Sequence, residues 1–407
     1  MAEQKGNSGQ PAAQATRLSH QGRDVRTRGG RPVNPPVSRA STILFDDLAS
    51  LRAGATGHSQ PDFVQYGRFG TETHVALRQA WSDLEGAEDT LLVPCGLAAN
   101  TLALLAFVES GDHVLMTDNV YAPARGVCDG LLRPLGVETT YFDPGLGTAV
   151  EDLLRPNTRL IYLETPGSHS FELCDVPAYV EVARRRGLKT ALDNTWATPL
   201  FYRPLEQGVD VSIQAGTKYL GGHSDVMLGL VSADGETVQQ LRSKSDLLGY
   251  SVSADDAYLA LRGFRTLEVR LRRHEASALR VARWLTQRPE VERVLHPALP
   301  DHPQHALFNR DFDGASGLFG LVLQPGFPPR AVEAMLDSLR YFGLGYSWGG
   351  YESLIVPSPV EKMRTATGWD AVDRTLRVHI GLEHPGDLID DLENGFERLN
   401  AVAEAAE

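Results

Sequence analysis

The sequence has little lysine and no long apolar run. Its 407 residues include five lysines against 34 arginines, and the lysines are Lys5, Lys189, Lys218, Lys244 and Lys362. The longest uninterrupted apolar stretch, Leu102 to Val108, is far shorter than the ~20 residues that are needed to cross a bilayer. We therefore expect no membrane partner. Because lysine is rare in this chain, each lysine is less easily explained as an ordinary surface residue.

Cysteine is rarer still. The three cysteines, Cys95, Cys128 and Cys174, are odd in number, and no two of them have CxxC spacing. This pattern favours neither a disulfide framework nor a zinc motif, so we expect reduced thiols and no metal centre. The first residues also lack the apolar segment of a secretory signal, which predicts a cytoplasmic protein.

Basic charge is in short supply as well. The chain carries 39 Lys and Arg residues against 52 Asp and Glu residues, a formal net charge of −13. Such a balance offers no broad basic surface, so we expect no nucleic-acid partner. The composition is 42% hydrophobic and 22% charged, which is typical of a folded soluble chain with a sizeable core.

Short apolar runs alternate with helical patterns over the first 250 residues. Helical spacing occurs at Thr71–Glu85, Gly96–Val108, Ala122–Leu132 and Pro177–Arg186, with a shorter stretch at Pro204–Gln207. The strand candidates are Thr90–Val93, His113–Met116, Glu138–Phe142, Leu160–Leu163, Thr190–Leu192, Val211–Gln214 and Leu228–Val231. This alternation predicts an α/β fold with a large, mostly parallel sheet and helices on both faces.

The pattern changes after about residue 250. A helical pattern over Ala254–Thr286, interrupted near Gly263, precedes strand and helix candidates that predict a smaller C-terminal α+β domain. These candidates are Val291–His296, Gly317–Leu323, Pro329–Leu339, Leu376–Ile380 and Gly386–Ala401. We predict three parts, a partly disordered N-terminal arm (1–60), a large cofactor-binding domain (61–250) and the smaller domain (251–407).

Three features lie at the ends of predicted strands, where open α/β sheets bind ligands. The turn Pro94 to Asn100 opens a helix with small residues, which suits an anion such as phosphate. Asp193 ends an apolar strand, where an acid is costly unless a cation pairs with it. Lys218 follows the next strand, where loss of solvent would make its amine a nucleophile.

Each of these features has an ordinary structural explanation, but together they describe a pyridoxal phosphate site. The lysine would bind the cofactor aldehyde, the acid would keep the ring nitrogen protonated, and the turn would hold the phosphate. A nicotinamide-dependent dehydrogenase is disfavoured because the chain lacks a GxGxxG fingerprint after a strand. A non-catalytic binding protein on the same scaffold is disfavoured by the presence of Lys218, Asp193 and Arg377.

A longer pattern carries a family resemblance. The segment DNTWATPLFYRPLEQGVDVSIQAGTKYLGGHSDVMLG resembles the signature of the Cys/Met-metabolism pyridoxal phosphate enzymes of fold type I. Supporting motifs are YGRFGTETH, PCGLAANT, GDHVLMTDNVYAP, ETPGS, ASGLF, GYSWGGYESLI and LRVHIGLEH. The resemblance extends from about Arg31 to Leu399 and implies the fold-type I architecture.

The resemblance also implies roles in cofactor binding. Lys218 matches the lysine that binds the cofactor, Asp193 the partner of the ring nitrogen, and Tyr121 a stacking and catalytic tyrosine. The remaining cofactor-binding matches are Gly96, Leu97 and Thr217 as phosphate donors, and Tyr66 and Arg68 as phosphate ligands of a neighbouring subunit. Ala215 stands where many relatives have a serine, which places more of the phosphate binding on the other donors.

The implied substrate is an amino acid with a thioether. Arg377 matches the arginine that binds the α-carboxylate, and Ser347 lies beside it, with Tyr346 and Trp348 in the pocket wall. The resemblance implies β-elimination of L-cystathionine to homocysteine, pyruvate and ammonia by a homodimer or homotetramer with shared sites. The alternatives are a cystathionine γ-lyase or γ-synthase and a broad cysteine-S-conjugate β-lyase.

Overall fold

The structure is a computed structural model that describes residues 14–21, 32–57 and 62–405. Much of the predicted disordered arm, residues 1–13 and 22–31, lies outside the described residues. Among the residues that are described, no helix is long and apolar enough to cross a membrane.

The described helices are mostly of α type. They are α1 (Gln14–His20), α2 (Leu48–Gly57), α3 (Glu72–Glu85), α4 (Gly96–Leu105), α5 (Ala122–Val127), α6 (Val176–Arg186), α7 (Thr198–Phe201), α8 (Gly235–Leu248), α9 (Ala254–Phe264), α10 (Leu267–Leu285), α11 (His305–Asp311), α12 (Pro329–Ser338) and α13 (Pro385–Glu404). Short 3₁₀ turns occupy Gly67–Phe69, Arg133–Leu135, Gly147–Leu153, Leu205–Gln207 and Val360–Lys362, and Cys128–Leu132 is a π turn.

The strands form two sheets within the described ranges. The larger sheet contains β1 (Asp89–Val93), β2 (His113–Thr117), β3 (Glu138–Phe142), β4 (Thr158–Glu164), β5 (Lys189–Asp193), β6 (Val211–Ala215) and β7 (Gly229–Ala233), in the order β1-β7-β6-β5-β4-β2-β3. The smaller sheet contains β8 (Val291–Leu295), β9 (Leu318–Leu323), β10 (Leu354–Pro357) and β11 (Thr375–His379), in the order β10-β11-β9-β8.

The predicted fold class is confirmed. Strands β2 to β6 pair in parallel, whereas β7 is antiparallel to both of its neighbours. Helices α3, α6 and α9 contribute buried apolar residues on one face of the sheet, and α4, α5 and α8 on the other. The smaller sheet is antiparallel throughout, and its core is completed by α10, α12 and α13.

Six elements were not predicted, and they are α1, α2, α7, α8, α11 and β10. The helices α1 and α2 lie in the arm that was predicted to be partly disordered, and β10 and α8 have weak sequence signals. Strand β10 has four residues and ends in Pro357, which interrupts the strand pattern. Helix α8 has few apolar side chains, and its buried apolar residues are Val238 and Leu241. The predicted division at residue 250 stays a prediction.

The topology brings the carboxyl ends of neighbouring strands together. Glu164 at the end of β4 pairs in register with Asp193 at the end of β5, and β6 ends beside them at Ala215. Because these strands are parallel, the residues that follow them emerge at one edge of the sheet. The candidate site is therefore a direct product of strand order.

Asp118, directly after β2, joins the larger sheet to the segment between β10 and β11. Its buried carboxylate accepts hydrogen bonds from Arg125 Nη1 at 2.7 Å and from the backbone amides of Thr365, Ala366 and Thr367 at 2.8–3.0 Å. Burial acts to raise the pKa of Asp118, but these hydrogen bonds outweigh it and hold the pKa below its usual value. The interactions therefore stabilise the ionised carboxylate.

We expect the substitution Asp118→Asn to destabilise the protein by about 3 kcal/mol, since it leaves Arg125 and several amides without an anionic acceptor. Denaturant unfolding, monitored separately for each transition, measures this loss. The matched control is Asp370→Asn at an exposed ion pair with Arg293, which should cost less than about 1 kcal/mol. Equal losses in the two variants would contradict the assignment.

The same contact predicts a pH dependence. Because the folded-state pKa of Asp118 is depressed, its contribution is present above the unfolded pKa of ~3.9 and is lost as pH falls through the folded value. The stability difference between wild type and Asp118→Asn should therefore be constant near neutral pH and shrink below about pH 4. A difference that grows on acidification would contradict this account.

Candidate active site

A cavity of about 150 Å³ opens at the carboxyl edge of the larger sheet. Residues that follow β1, β2, β4, β5 and β6 line it, and the smaller-sheet region contributes Leu318 and Trp348. The sequence predicts twelve site residues, and seven of them line this cavity. These are Gly96, Leu97, Tyr121, Asp193, Thr217, Lys218 and Trp348.

Lys218 is the half-buried amine of the cavity. Its Nζ donates a hydrogen bond to Ser347 Oγ at 2.6 Å and lies 5.4 Å from the ring centroid of Trp348. Burial and, after it, the nearby Arg377 guanidinium lower the pKa of Lys218 to about 8, against the opposing effect of Asp193. An amine with this pKa is partly neutral near physiological pH, so it can act as a nucleophile or a base.

Ser347 connects the amine to the predicted carboxylate arginine. Its hydroxyl accepts from Lys218, and its carbonyl oxygen accepts from Arg377 Nη2 at 3.0 Å. Its backbone has φ = +74°, a left-handed conformation that is unfavourable for serine. Ser347 thus connects Lys218 to Arg377, at the cost of local strain.

Gly349 allows the same loop to approach the lysine closely. Its φ is +87°, and a Cβ at this position would lie 2.9 Å from the carbonyl carbon of Lys218. Its amide donates to Nε2 of the buried His379 at 3.1 Å. Glycine is required here because both the backbone conformation and the space exclude a side chain.

Asp193 is the buried acid at the end of β5 and is 8% exposed. Its Oδ1 accepts from the amide of Thr195 at 3.0 Å and from the hydroxyl of Thr195 at 2.5 Å. Burial raises the pKa of Asp193, whereas the Thr195 hydrogen bonds, Asn100 and Lys218 oppose that rise. A buried carboxylate with this support is suited to pair with a cationic group.

Glu164 is a second buried acid that sequence reasoning did not assign to the site. Its carboxylate accepts from the amide of Tyr121 and from the hydroxyl of Ser168, each at 2.6 Å. Burial, and then the adjacent charge of Asp193, raise the pKa of Glu164 to about 8. Its place at the end of an apolar strand is the same signal that identified Asp193, so it was open to detection.

Tyr121 lies at the mouth of the cavity. Its amide is fixed by Glu164, and its side chain is partly exposed. Burial, followed by the charges of Glu164 and Asp193, raises the pKa of the Tyr121 hydroxyl, with Arg377 opposing the rise. The tyrosine is therefore neutral near pH 7 and close to the other charged groups of the site.

The phosphate cradle is predicted at the N-terminus of α4. A helix leaves its first amides without intrahelical acceptors, which is the situation of Gly96 and Leu97, and its dipole favours an anion. A Cβ on Gly96 would lie 2.6 Å from Cβ of Ala215, so only glycine fits this contact. The Thr217 hydroxyl donates to the carbonyl oxygen of Leu228 at 3.2 Å, and its role toward phosphate stays a prediction.

Five predicted site residues do not line the cavity. Ser347 and Arg377 are connected to it through Lys218, and the other three are Tyr346, Tyr66 and Arg68. Tyr346 is 95% exposed, although it is near enough to Arg377 to affect its electrostatics. Tyr66 is 47% exposed, and Arg68 donates from Nη1 to the carbonyl oxygen of Asp246 at 3.1 Å. The assignment of these residues to the site stays a prediction.

The donor set fits pyridoxal phosphate. It combines an amine of lowered pKa, a buried acid and a helix N-terminus around one cavity. Asn100 adds a buried amide oxygen that has no protein hydrogen-bond partner in the described part of the chain. In the described ranges, no group of three or more His, Cys, Asp or Glu side chains is placed to hold a metal ion.

Comparisons with known proteins identify the family. The sequence profile described as Cys/Met metabolism PLP-dependent enzyme matches residues 15–397. Cystathionine beta-lyase of Salmonella typhimurium is 44% identical over 389 residues, covering 94% of this chain and 98% of that protein. L-alanine/L-glutamate racemase of Wolbachia pipientis is 40% identical over 376 residues, covering 90% and 93% respectively.

A solved structure agrees with the sequence comparisons. Cystathionine gamma synthase from Xanthomonas oryzae pv. oryzae matches with a TM-score of 0.88 and 33% identity, covering 96% of this chain and 100% of that one. The profile covers most of the chain, and relatives well above 30% identity match nearly their full length. The protein therefore belongs to the Cys/Met-metabolism family of pyridoxal phosphate-dependent enzymes.

Proposed function

We propose that this enzyme is a carbon–sulfur lyase that cleaves L-cystathionine by β-elimination to homocysteine, pyruvate and ammonia. The single observation that carries the proposal is the contact of Lys218 Nζ with Ser347 Oγ, beside Trp348. This contact restrains the Lys218 amine, which is the candidate base. The name of the Salmonella relative supports cystathionine as the substrate.

The cofactor supplies an electron-withdrawing ring that stabilises negative charge at the substrate Cα. Lys218 is the group that takes the Cα proton, because its amine has a lowered pKa and stands in the cavity. Asp193 supports the ring from the end of β5. Gly96 and Leu97 hold the phosphate through backbone amides at the start of α4.

Substrate orientation depends on Arg377. Its guanidinium is anchored on the Ser347 carbonyl, so its remaining N–H groups have a defined direction for the substrate α-carboxylate. This arrangement places the substrate α-carboxylate, bound by Arg377, and the Lys218 amine on the two sides of Ser347. A substrate held in this way presents Cα to Lys218.

The choice between β- and γ-elimination rests on how far the lysine can move. A γ-elimination needs a second proton removal, from Cβ, so the amine must travel along the substrate. Here Ser347 holds the amine on one side, and the Trp348 ring fills the space at 5.4 Å on another. These restraints favour loss of the thiolate directly from Cβ.

We expect the wild-type enzyme to convert L-cystathionine to equal amounts of pyruvate and homocysteine, with little 2-oxobutanoate or cysteine. Chromatography of the 2-oxo acids and thiols measures both pairs of products. Lys218→Ala should lose activity by at least about a thousandfold because no other group replaces its base function. Lys189→Ala is the matched control, since Lys189 pairs with Asp210 and Thr237 and should leave the rate unchanged.

Three outcomes would contradict this reading. Mainly 2-oxobutanoate would assign a γ-lyase, and faster turnover of L-cystine than of cystathionine would assign a broader S-conjugate lyase. Formation of D-alanine from L-alanine without pyruvate from cystathionine would assign a racemase. Each reaction is followed with the same purified enzyme at the same pH.

We further propose that two or four copies assemble and that each site is completed by a neighbouring copy. Arg68 and Tyr66 match phosphate ligands of the family but do not line the cavity of their own chain. Tyr66 is half-exposed, and the apolar side chains of Leu44 and Leu247 are largely exposed. A second copy would cover these surfaces and receive the two ligands.

We expect activity to return when Arg68→Ala and Lys218→Ala chains are mixed. One site of each mixed dimer would then contain both intact residues, so equal mixing should restore about a quarter of the wild-type activity. The matched control mixes Lys218→Ala with Asp193→Asn, two changes in the same cavity of one chain, and should restore none. Subunit exchange is verified by native mass spectrometry, and exchange without recovery would overturn the shared site.

The cytoplasm is the proposed compartment. The structure contains three unpaired thiols, and those of Cys128 and Cys174 are buried. Free thiols of this kind persist in a reducing compartment. Burial raises the pKa of both thiols, which keeps them protonated and unreactive.

A further inference from the structure

Asp193 lies beside a second buried acid, so the surrounding residues determine which of the two carboxyl groups is ionised. Glu164 and Asp193 end neighbouring parallel strands and pair in register, and both are buried. Two carboxyl groups in such a place cannot both ionise without a large cost. A cofactor ring that needs a negative partner therefore depends on which of the two acids loses its proton.

The hydrogen bonds around the two acids differ. Glu164 accepts from the Tyr121 amide and the Ser168 hydroxyl, and burial together with Asp193 still raises the pKa of Glu164 to about 8. Asp193 accepts two hydrogen bonds from Thr195, both at Oδ1. The Asn100 side chain lines the same cavity and acts to lower the pKa of Asp193.

Asn100 occupies an unusual position for an amide. It lies in the second turn of α4, the helix whose first residues are Gly96 and Leu97, and it lines the cavity while being only 1% exposed. Toward an ionised carboxylate, its amide can only donate, through Nδ2. Its Oδ1 is buried and has no hydrogen-bond partner in the part of the chain that the structure describes, which is costly unless a ligand or water supplies one.

We propose that Asn100 is a positioning residue for the cofactor ring, which donates to the Asp193 carboxylate and keeps the negative charge on Asp193 rather than on Glu164. This inference rests on the proposed role of Asp193 as partner of the ring nitrogen and not on the identity of the substrate. One helix, α4, then holds the phosphate at its first residues and, one turn later, supports Asp193 as the partner of the ring nitrogen.

The test compares two ligands of the same variant. Pyridoxal phosphate and its 1-deaza analogue, in which CH replaces the ring nitrogen, are titrated onto the full-length chain after its cofactor has been removed. In Asn100→Leu, which has a similar volume but no donor, the preference for pyridoxal phosphate over the analogue should fall about tenfold. Binding of the analogue itself should change little, since it makes no bond that Asn100 supports.

A second readout reports on the ring directly. With nitrogen-15 in the pyridine ring of the bound cofactor, the chemical shift should report a protonated nitrogen in the wild type and a larger unprotonated fraction in Asn100→Leu. The matched control is Thr101→Val, at the residue next to Asn100. It removes the hydroxyl that donates to the carbonyl oxygen of Leu97. Neither the ligand preference nor the ring nitrogen should change in the control.

Each outcome decides the proposal. Equal loss of affinity for both ligands would mean that Asn100 only packs α4. An unchanged preference for pyridoxal phosphate would mean that Asp193 does not depend on the Asn100 amide. Either result overturns the proposal. If Asn100→Leu does not fold, Asn100→Ala removes the donor without adding bulk and should also lower the preference. A γ-product in the cystathionine assay would leave these binding results untouched, so the two failures are distinguishable.

Discussion

The hydrogen bond between Lys218 and Ser347 is the interaction on which the site depends. It joins a residue after the last parallel strand of the larger sheet to a loop of the smaller-sheet region, and the same serine anchors Arg377. The left-handed backbone of Ser347 and the close approach at Gly349 are costs that the fold bears to make this contact. The proposed base, Lys218, and the proposed carboxylate ligand, Arg377, are consequently both in contact with one loop.

The sheet topology explains why acids gather at the same place. Parallel strands bring Glu164 and Asp193 side by side, and burial favours their neutral forms. Their hydrogen bonds differ, because Glu164 accepts from the backbone amide of Tyr121 whereas Asp193 accepts from Thr195. The Wolbachia relative is named a racemase and the Salmonella relative a lyase, so similar chains carry the names of different reactions. The residues around Lys218 must therefore decide the chemistry.

Sequence reasoning predicted the seven strands of the larger sheet, because most of them are short apolar runs between helical patterns, and β3, although less buried, is rich in Thr and aromatic residues. It also singled out Lys218 and Asp193 as candidates, since a rare lysine and an acid follow such runs. It missed Glu164, although this acid also ends an apolar run, and it did not single out Asn100, whose position depends on which face of α4 meets the cavity. The exposure of Tyr346 was equally hidden, because a motif gives neighbours along the chain and not the direction of a side chain.

The most direct test of this account asks which lysine carries the cofactor. Borohydride reduction of the cofactor-loaded enzyme fixes the pyridoxyl group on its amine, and peptide mass mapping then locates it among five lysines. The account predicts modification at Lys218 alone, since its amine has a pKa lowered to about 8 and lies in the cavity. Modification at Lys189, Lys244 or Lys362 in its place would contradict the account.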